Sequence, residues 1–327
     1  MKNLSKEAQK VFFLIKKLNP IRSSEIVRLL NISNKTLYKH LSVLLEENLI
    51  SKTGKTPKVF YSVNTSKKDN LSVSNYSDFI IEQNYLYFSP SGEIIRGLNG
   101  FQAWCQKNNF EFKKEKTLFL KEVKSKQKYQ KDKLISAKKM ILSGKNKKIY
   151  LDDIFFSDFY TTSHFGKTKL GQLIYLGKSS QNKKLITETA DLARPGIVNI
   201  IKKFNIKLVA FVPPTIDRKV QFMNVFKKQL ELKLKEIKIM KTGNEIKIPQ
   251  KTLRKLEDRI INAKVSIAVN PNQKIDSNVL IIDDATGSGA TMNETAHKVR
   301  NISKNKIEII AYSVVGSYKN FDVISEV

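Results

Sequence analysis

The sequence predicts an α/β protein in which a small N-terminal α+β module precedes a parallel β-sheet flanked by helices. Two patterns support this prediction. Residues 1–65 have the pattern of three helices and a hairpin. Residues 201–327 alternate apolar strands with amphipathic helices, as α/β proteins do. Between them lies a lysine-rich middle segment whose role the pattern does not indicate. We therefore expect three domains, at residues 1–65, 66–165 and 166–327.

The composition limits the class of protein. The 327 residues include 59 Lys and Arg against 30 Asp and Glu, and this net charge of +29 favours a polyanionic partner such as nucleic acid. Lys greatly outnumbers Arg, so the codon usage of an AT-rich genome is an alternative explanation. No run approaches the ~18 apolar residues of a membrane span. The polar N-terminus lacks a signal-peptide core. We expect a cytoplasmic protein with no membrane segment.

Cysteine and histidine are too sparse for a disulfide or a zinc site. Cys105 is the only cysteine, which excludes an intrachain disulfide. The three histidines, His40, His164 and His297, lie far apart in the sequence. A structural site with Cys and His ligands is therefore not expected.

The N-terminal module is predicted to contain three helices. The first covers Lys6–Leu18, where apolar residues recur at a spacing of three and four, and Asn19-Pro20 ends it. Ser23 is expected to cap the second helix, and Ser33 the third, which runs to about Glu47. The outer face of the third helix begins with polar and basic side chains that can contact bases or phosphates.

A basic hairpin follows these helices. Two β-like segments, Leu49–Lys52 and Val59–Val63, flank a basic turn, and residues 5–63 as a whole resemble the winged-helix superfamily. The resemblance implies that the third helix enters the major groove of double-stranded DNA while the wing contacts phosphates. A homodimer is plausible, and a winged helix used for protein contact is the alternative. The candidate DNA-binding residues are Asn34, Lys35, Thr36, Tyr38, Lys39, Lys52, Lys55 and Lys58.

The middle of the chain gives weaker signals. Phe79-Ile80-Ile81 and Leu173–Leu176 are predicted as strands. Residues 165–179 are predicted as a turn-rich hairpin, and their glycines and lysines are a weak indication of anion binding. From Lys107 to Lys148 there are 15 lysines against 4 acidic residues, a net of +11. Such a segment can follow a phosphate backbone, but a solvated helical face is the favoured interpretation.

The most specific motif is Val279–Thr291. Four apolar residues predict a buried parallel strand, and two carboxylates, Asp283 and Asp284, stand at its C-terminal end, where ligands bind in open α/β sheets. A Gly/Ser/Thr loop then opens a helix, Met292–Arg300, whose N-terminus can bind a phosphate. The residues of the predicted phosphate loop are Thr286, Gly287, Ser288, Gly289, Ala290 and Thr291.

This motif resembles the signature of type I phosphoribosyltransferases, whose substrate is phosphoribosyl pyrophosphate (PRPP). The resemblance covers about residues 200–318 and implies a parallel sheet of the phosphoribosyltransferase type. It implies that Asp283 and Asp284 bind the ribose hydroxyls and indirectly hold the Mg²⁺ that accompanies PRPP. In the loop after the predicted strand Ile206–Val212, the candidates for pyrophosphate binding are Thr215, Arg218 and Lys219.

Residues 248–262 further resemble the ComF branch of this family, and related domains occur at the ends of some RecQ-type helicases. Hypoxanthine-guanine enzymes carry an acidic residue where this sequence has Gly287, so the resemblance argues against that type of enzyme. Three functions remain open. The favoured one is a DNA-binding regulator that senses PRPP or a nucleotide, an architecture that the Gram-positive purine repressor has. The others are an active phosphoribosyltransferase and a ComF-like accessory in DNA uptake or processing.

Overall fold

The computed structural model describes residues 4–18, 20–54, 59–64, 73–137, 148–242, 252–253 and 255–317. The chain forms two compact units. The first consists of Met1–Tyr85 and Arg96–Leu120, and the second of Leu86–Ile95 and Lys121–Val327. Among the described residues, no helix combines the length and the hydropathy needed to cross a membrane.

The first unit begins with a winged helix, as predicted. Its elements are α1 (Lys6–Leu18), β1 (Ile21–Arg22), α2 (Ser23–Leu30), α3 (Asn34–Glu46), β2 (Ile50–Thr53) and β3 (Phe60–Val63). The three strands form an antiparallel sheet in the order β1-β3-β2. The three helices and this sheet enclose a core of Ile15, Ile26, Leu37, Leu41, Leu44 and Ile50, each at most 1% exposed. Ser23 is the first residue of α2 rather than its cap, because the short strand β1 extends up to Arg22.

The rest of the first unit is helical and aromatic. It contains α4 (Val73–Asn84), α5 (Gly97–Lys107) and most of α6 (Phe112–Gln127). The strand predicted at Phe79-Ile80-Ile81 is wrong, because these residues lie in α4. All three are buried, and the ring of Phe79 lies 5.4 Å from that of Phe13. An apolar run this short has the same pattern in a buried helix and in a buried strand.

The second unit contains a seven-stranded, mostly parallel sheet, which confirms the α/β prediction. Its elements are β4 (Leu86–Phe88), β5 (Ile94–Arg96), β6 (Gln130–Lys131), β7 (Leu134–Ser136), β8 (Asp153–Phe159), α7 (Lys169–Ser179), α8 (Lys183–Lys203), β9 (Leu208–Phe211), α9 (Phe222–Leu230), β10 (Lys235–Ile237), β11 (Ile239–Lys241), α10 (Leu256–Ser266), β12 (Ile267–Val269), β13 (Val279–Thr286), α11 (Ala290–Ile302) and β14 (Ile309–Gly316). The sheet order is β10-β9-β13-β14-β8-β7-β6, in which the first five strands are parallel. Strands β6 and β7 are antiparallel additions at one side.

Helices cover both faces of this sheet. Alternate residues of β13 point to opposite faces. Leu280 and Ile282 pack with α7, α8 and α9, while Val279 and Ile281 pack with α11. The apolar strand predicted from the motif is therefore buried on both sides, as a central parallel strand must be.

Two predictions for residues 66–179 differ from the structure. Leu173–Leu176, predicted as a strand, lies in α7, because Thr168 caps a helix there by accepting a hydrogen bond from the N–H of Gly171 at 3.1 Å. The predicted hairpin over residues 165–179 is therefore wrong. Segment 66–165 is shared between the two units, since α4 and α5 belong to the first and β6 to β8 join the sheet of the second.

Candidate functional site

The order of the strands creates a crevice in the second unit. Strands β9 and β13 are neighbours, but the chain continues from β9 outwards to β10 and from β13 in the opposite direction to β14. The connecting helices α9 and α11 lie on opposite faces of the sheet. The loops that leave β9 and β13 therefore diverge at the carboxyl edge, and this switch point is where open α/β sheets bind ligands.

A cleft is present at this point. It is bordered by the end of α7, the loop after β9, the first residues of α9, the end of β11, α10 and the segment from β13 into α11. The residues that line it are Lys178, Val212, Pro213, Pro214, Thr215, Ile216, Arg218, Gln221, Phe222, Met223, Lys241, Arg259 and 283–292. Every residue predicted from the sequence for this site lines the cleft except Lys219, which is exposed.

The two carboxylates of the motif face cationic side chains. The Nζ atom of Lys178 lies 2.8 Å from Oδ1 of Asp284. Asp283 accepts a hydrogen bond from the backbone N–H of Asp284 at 2.8 Å. Burial, and then the like charge of Asp284, raise the pKa of Asp283 to about 7, although the Lys178 and Lys241 ammonium groups oppose this shift. Burial lowers the pKa of Lys241, against the opposite effect of both carboxylates.

The glycine-rich loop leads directly into α11. Gly289 has a φ of 72° and stands at the N-cap of this helix, a backbone conformation that glycine adopts without strain. It has no side chain that could cap the first turn, and the first residues of α11 line the cleft. Ser288 Oγ accepts a hydrogen bond from the N–H of Ala290 at 3.4 Å. The hydroxyl of Thr286 instead points to the sulfur of Met292, at 3.7 Å, on the buried side of the loop.

Three cations of the cleft were not among the predicted site residues. Lys178 lies in α7, a segment interpreted as part of a hairpin. Lys241 ends β11, and its Nζ donates a hydrogen bond to Thr215 Oγ1 at 2.5 Å. Arg259, on α10, is 5% exposed and donates through Nε to the carbonyl oxygen of Leu253 at 2.8 Å. Lys178 and Lys241 have no sequence pattern that separates them from the other lysines of this basic chain, and Arg259 lies in the segment 248–262 that resembles the ComF branch.

The cleft residues do not form a metal site of their own. The resemblance implies that Asp283 and Asp284 hold Mg²⁺ only indirectly, together with bound PRPP, and Asp284 forms an ion pair with Lys178. Within the described part of the chain, no group of three or more His, Cys, Asp or Glu side chains is arranged to hold a metal ion. Two carboxylates, one of them neutralised by an ammonium group, are a poor donor set for a hard divalent cation.

The second predicted site is the exposed face of α3 in the first unit. Ser33 caps this helix by accepting a hydrogen bond from the N–H of Thr36 at 3.1 Å, and the two hydroxyl oxygens lie 2.7 Å apart. The Thr36 hydroxyl therefore contributes to the cap. Tyr38 is 53% exposed. The candidates Asn34, Lys35, Lys39 and Lys52 are also exposed, and Lys55 and Lys58 lie outside the described residues.

Comparison with known proteins agrees with the structure of this module. Residues 10–52 match the family described as bacterial regulatory protein, arsR family. The match runs from within α1 to β2 and includes the whole helix-turn-helix. A search of curated proteins finds no match to the chain. Together, the fold and this match define the N-terminal module as a winged helix-turn-helix of the kind found in bacterial regulators.

Proposed function

We propose that this protein is a DNA-binding regulator whose second unit binds PRPP or a nucleotide. The match of residues 10–52 to a family of bacterial regulators supports the DNA-binding half. The observation that carries the ligand-binding half is that two carboxylates and the N-terminus of α11 border one cleft at the switch point of the sheet. Asp283 and Asp284 suit sugar hydroxyls, and the loop beyond them suits a phosphate.

The charge of the cleft supports an anionic ligand. Four cationic side chains line it, namely Lys178, Lys241, Arg218 and Arg259, against the two carboxylates. Cationic side chains therefore outnumber carboxylates in this partly enclosed site. An ionised phosphate gains from such a site because the charges are less screened there than on the open surface.

DNA binding is proposed for the exposed face of α3. This helix can place Asn34, Lys35, Tyr38 and Lys39 in the major groove by its N-terminal half, with Lys52 of the wing beside the backbone. A ligand in the second unit can alter this binding only if it has different affinities for the states that bind DNA well and poorly.

The test is DNA retardation with and without the ligand. Because the operator is unknown, duplexes selected from random sequence by the protein itself serve as probes. We expect saturating PRPP or a nucleoside monophosphate to shift the DNA affinity of the wild-type protein. The same addition should leave the doubly substituted protein, Asp283→Asn with Asp284→Asn, unaffected. An unchanged wild-type affinity with every ligand would contradict the regulatory half of this proposal.

An active phosphoribosyltransferase is the second candidate. Arg218 and Arg259 line the same cleft as the carboxylates, and two guanidinium groups suit a departing diphosphate. Pyrophosphate release from PRPP, measured with each common nucleobase in turn, distinguishes the two functions. Turnover with any base would make the enzyme the primary function.

A further inference from the structure

We propose that the second unit has its own contact surface for the phosphate backbone of double-stranded DNA, formed by exposed lysines at the end of α6 and on neighbouring elements. This lysine surface consists of Lys121, Lys124, Lys128, Lys131 and Lys202. The inference rests on the DNA-binding half of the proposed function and adds a contact that lies outside the helix-turn-helix. It also gives a role to part of the lysine excess between residues 107 and 148.

In the last turns of α6, the charged side chains are sorted between two sides of the helix. Nζ of Lys126 lies 2.9 Å from Oδ2 of Asp158, and the two side chains are 18% and 11% exposed. Glu122 is partly buried and accepts hydrogen bonds from the Thr162 side chain and the Ser163 backbone N–H. Both interactions are with β8 and the loop after it. The two carboxylates therefore lie on the inner side of α6.

The outer side of the same turns is basic. Between residues 121 and 128, the exposed side chains are those of Lys121, Lys124, Ser125, Gln127 and Lys128, and none of them is acidic. Side chains three or four positions apart on a helix are neighbours, and like charges at this spacing reduce the stability of the helix. A polyanion bound along this side would remove that repulsion.

The lysine surface continues beyond α6. Lys131 is exposed at the end of β6. The turn after β6 contacts the end of α8, where Nδ2 of Asn199 donates a hydrogen bond to the carbonyl oxygen of Asp132 at 3.2 Å. Lys202 follows Asn199 by three positions, so the two residues lie on the same side of α8, and both are exposed. The five lysines therefore come from three neighbouring parts of the fold, with Asp132 as an exposed acidic residue beside them.

The chemistry of this surface fits double-stranded DNA better than other polyanions. Single strands are bound by aromatic side chains on which bases stack. Between residues 121 and 133 the one exposed aromatic side chain is Tyr129, and its ring packs edge-on against Phe159 at 6.4 Å. Anionic membranes are bound by helices that also present apolar side chains, whereas the other exposed side chains of this stretch are polar or charged.

The dimensions of the surface suit a duplex. The seven positions from Lys121 to Lys128 span about 10 Å along a helix. A duplex has about one phosphate per 1.7 Å of its axis, so the same length of DNA presents about six phosphates. Lysine contacts to phosphates read no base edges. The contact therefore adds affinity without sequence preference.

DNA affinity measured by fluorescence anisotropy at several salt concentrations tests the inference, with duplexes selected from random sequence by the protein itself as probes. Lys121→Gln with Lys124→Gln and Lys128→Gln should weaken binding about tenfold or more at physiological salt. The slope of log affinity against log salt concentration should fall by up to about 3, because each phosphate contact contributes about 0.9. Lys131→Gln with Lys202→Gln, on other elements of the lysine surface, should lower the slope by up to about 2.

Three exposed lysines of the second unit outside this surface provide the matched control, Lys235→Gln with Lys304→Gln and Lys306→Gln. This control removes the same charge as the α6 variant and should leave the affinity and the salt slope close to their wild-type values. Arginine at positions 121, 124 and 128 should preserve binding, because the positive charges remain. Thermal unfolding monitors the fold of every variant.

The outcomes separate this inference from the function on which it rests. Equal effects of the α6 variant and the control would overturn the lysine surface. A loss of binding confined to single-stranded oligonucleotides or to vesicles that contain phosphatidylserine, with duplex affinity unchanged, would overturn the assignment to double-stranded DNA. If the wild-type protein binds no duplex, the proposed DNA-binding function itself fails. The variant at positions 131 and 202 keeps the test decisive even if the α6 variant does not fold.

Discussion

At the scale of single residues, two adjacent carboxylates determine what the cleft can recognise. Asp283 and Asp284 follow each other at the end of a strand that is buried on both faces, so they point to opposite sides of the sheet edge. One is paired with Lys178, and the other is partly buried with a raised pKa. Partly buried carboxylates reduce the stability of the fold, and apolar side chains at the end of this strand would make the protein more stable. The two aspartates are therefore candidates for ligand binding.

Asp283→Asn together with Asp284→Asn should abolish binding of ribose 5-phosphate and PRPP and preserve the fold. The amides keep the shape of the side chains but lose half of the acceptor oxygens and both charges. Calorimetry measures binding, and thermal unfolding monitors the fold. Asp276→Asn, near the other end of β13, is the control and should bind like the wild type. Unchanged affinity in the double variant would remove the ribose-binding role from these residues.

At the scale of secondary structure, the sequence predicted whole elements where the pattern of apolar residues ended at residues that terminate a helix or a strand. Helix α1 has the predicted bounds, because Asn19-Pro20 ends a regular apolar stripe. Strand β13 was recognised from its apolar run and the polar loop after it. The segments at 79–81 and 173–176 were predicted as strands and are helical, since short apolar runs take their conformation from the surfaces that bury them.

Part of the cleft could not be predicted because its residues come from distant elements. The end of β13 and the loop after it contain their own signal, in two carboxylates and two glycines. Lys178, Lys241 and Arg259 reach the same cleft from α7, β11 and α10, and only the order of the strands brings them together. The phosphoribosyl identity of the ligand stays a prediction, whereas the helix-turn-helix is confirmed by its structure and by the family match.

Helix α3 should carry most of the DNA affinity of the first unit. Lys35→Ala with Lys39→Ala is expected to weaken binding and to reduce the slope of log affinity against log salt concentration by up to about 2, because each phosphate contact contributes about 0.9. Retardation at several salt concentrations measures both quantities. Lys183→Ala with Lys184→Ala removes the same charge from exposed positions of α8. This control should change the DNA affinity and the salt slope much less than the α3 substitutions do. Equal effects of the two pairs would indicate that charge alone drives binding.

The contact between α7 and the backbone after β8 should be intolerant of any side chain. Gly171→Ala places a Cβ atom where the carbonyl oxygen of Tyr160 lies, and the resulting displacement should cost roughly 1–3 kcal/mol of the free energy of unfolding. Urea denaturation measures this loss. Gln172→Ala, at the next position of the same helix, controls for the added helix propensity. A Gly171→Ala protein as stable as the wild type would show that α7 can shift without cost.

At the scale of the whole molecule, a regulator must couple its two sites, and coupling of binding free energies is reciprocal. If the ligand changes the affinity for DNA by some factor, DNA must change the affinity for the ligand by the same factor. Calorimetric titration of ribose 5-phosphate into the free protein and into its DNA complex measures the second factor. Agreement between the factors supports a two-state regulator, and a ligand affinity unaffected by DNA would show that the sites are independent.

The two edge strands of the large sheet also limit how copies of this protein can associate. Among the described residues, one edge strand is β10, where Lys235 and Glu236 are exposed, and the other is β6, which has only two residues and ends in the exposed Lys131. Short edge strands that carry charged side chains pair poorly with a strand of another chain. The sheet therefore resists extension by a strand from another chain, even though the neighbouring central strands β13 and β14 each have eight residues and are largely apolar.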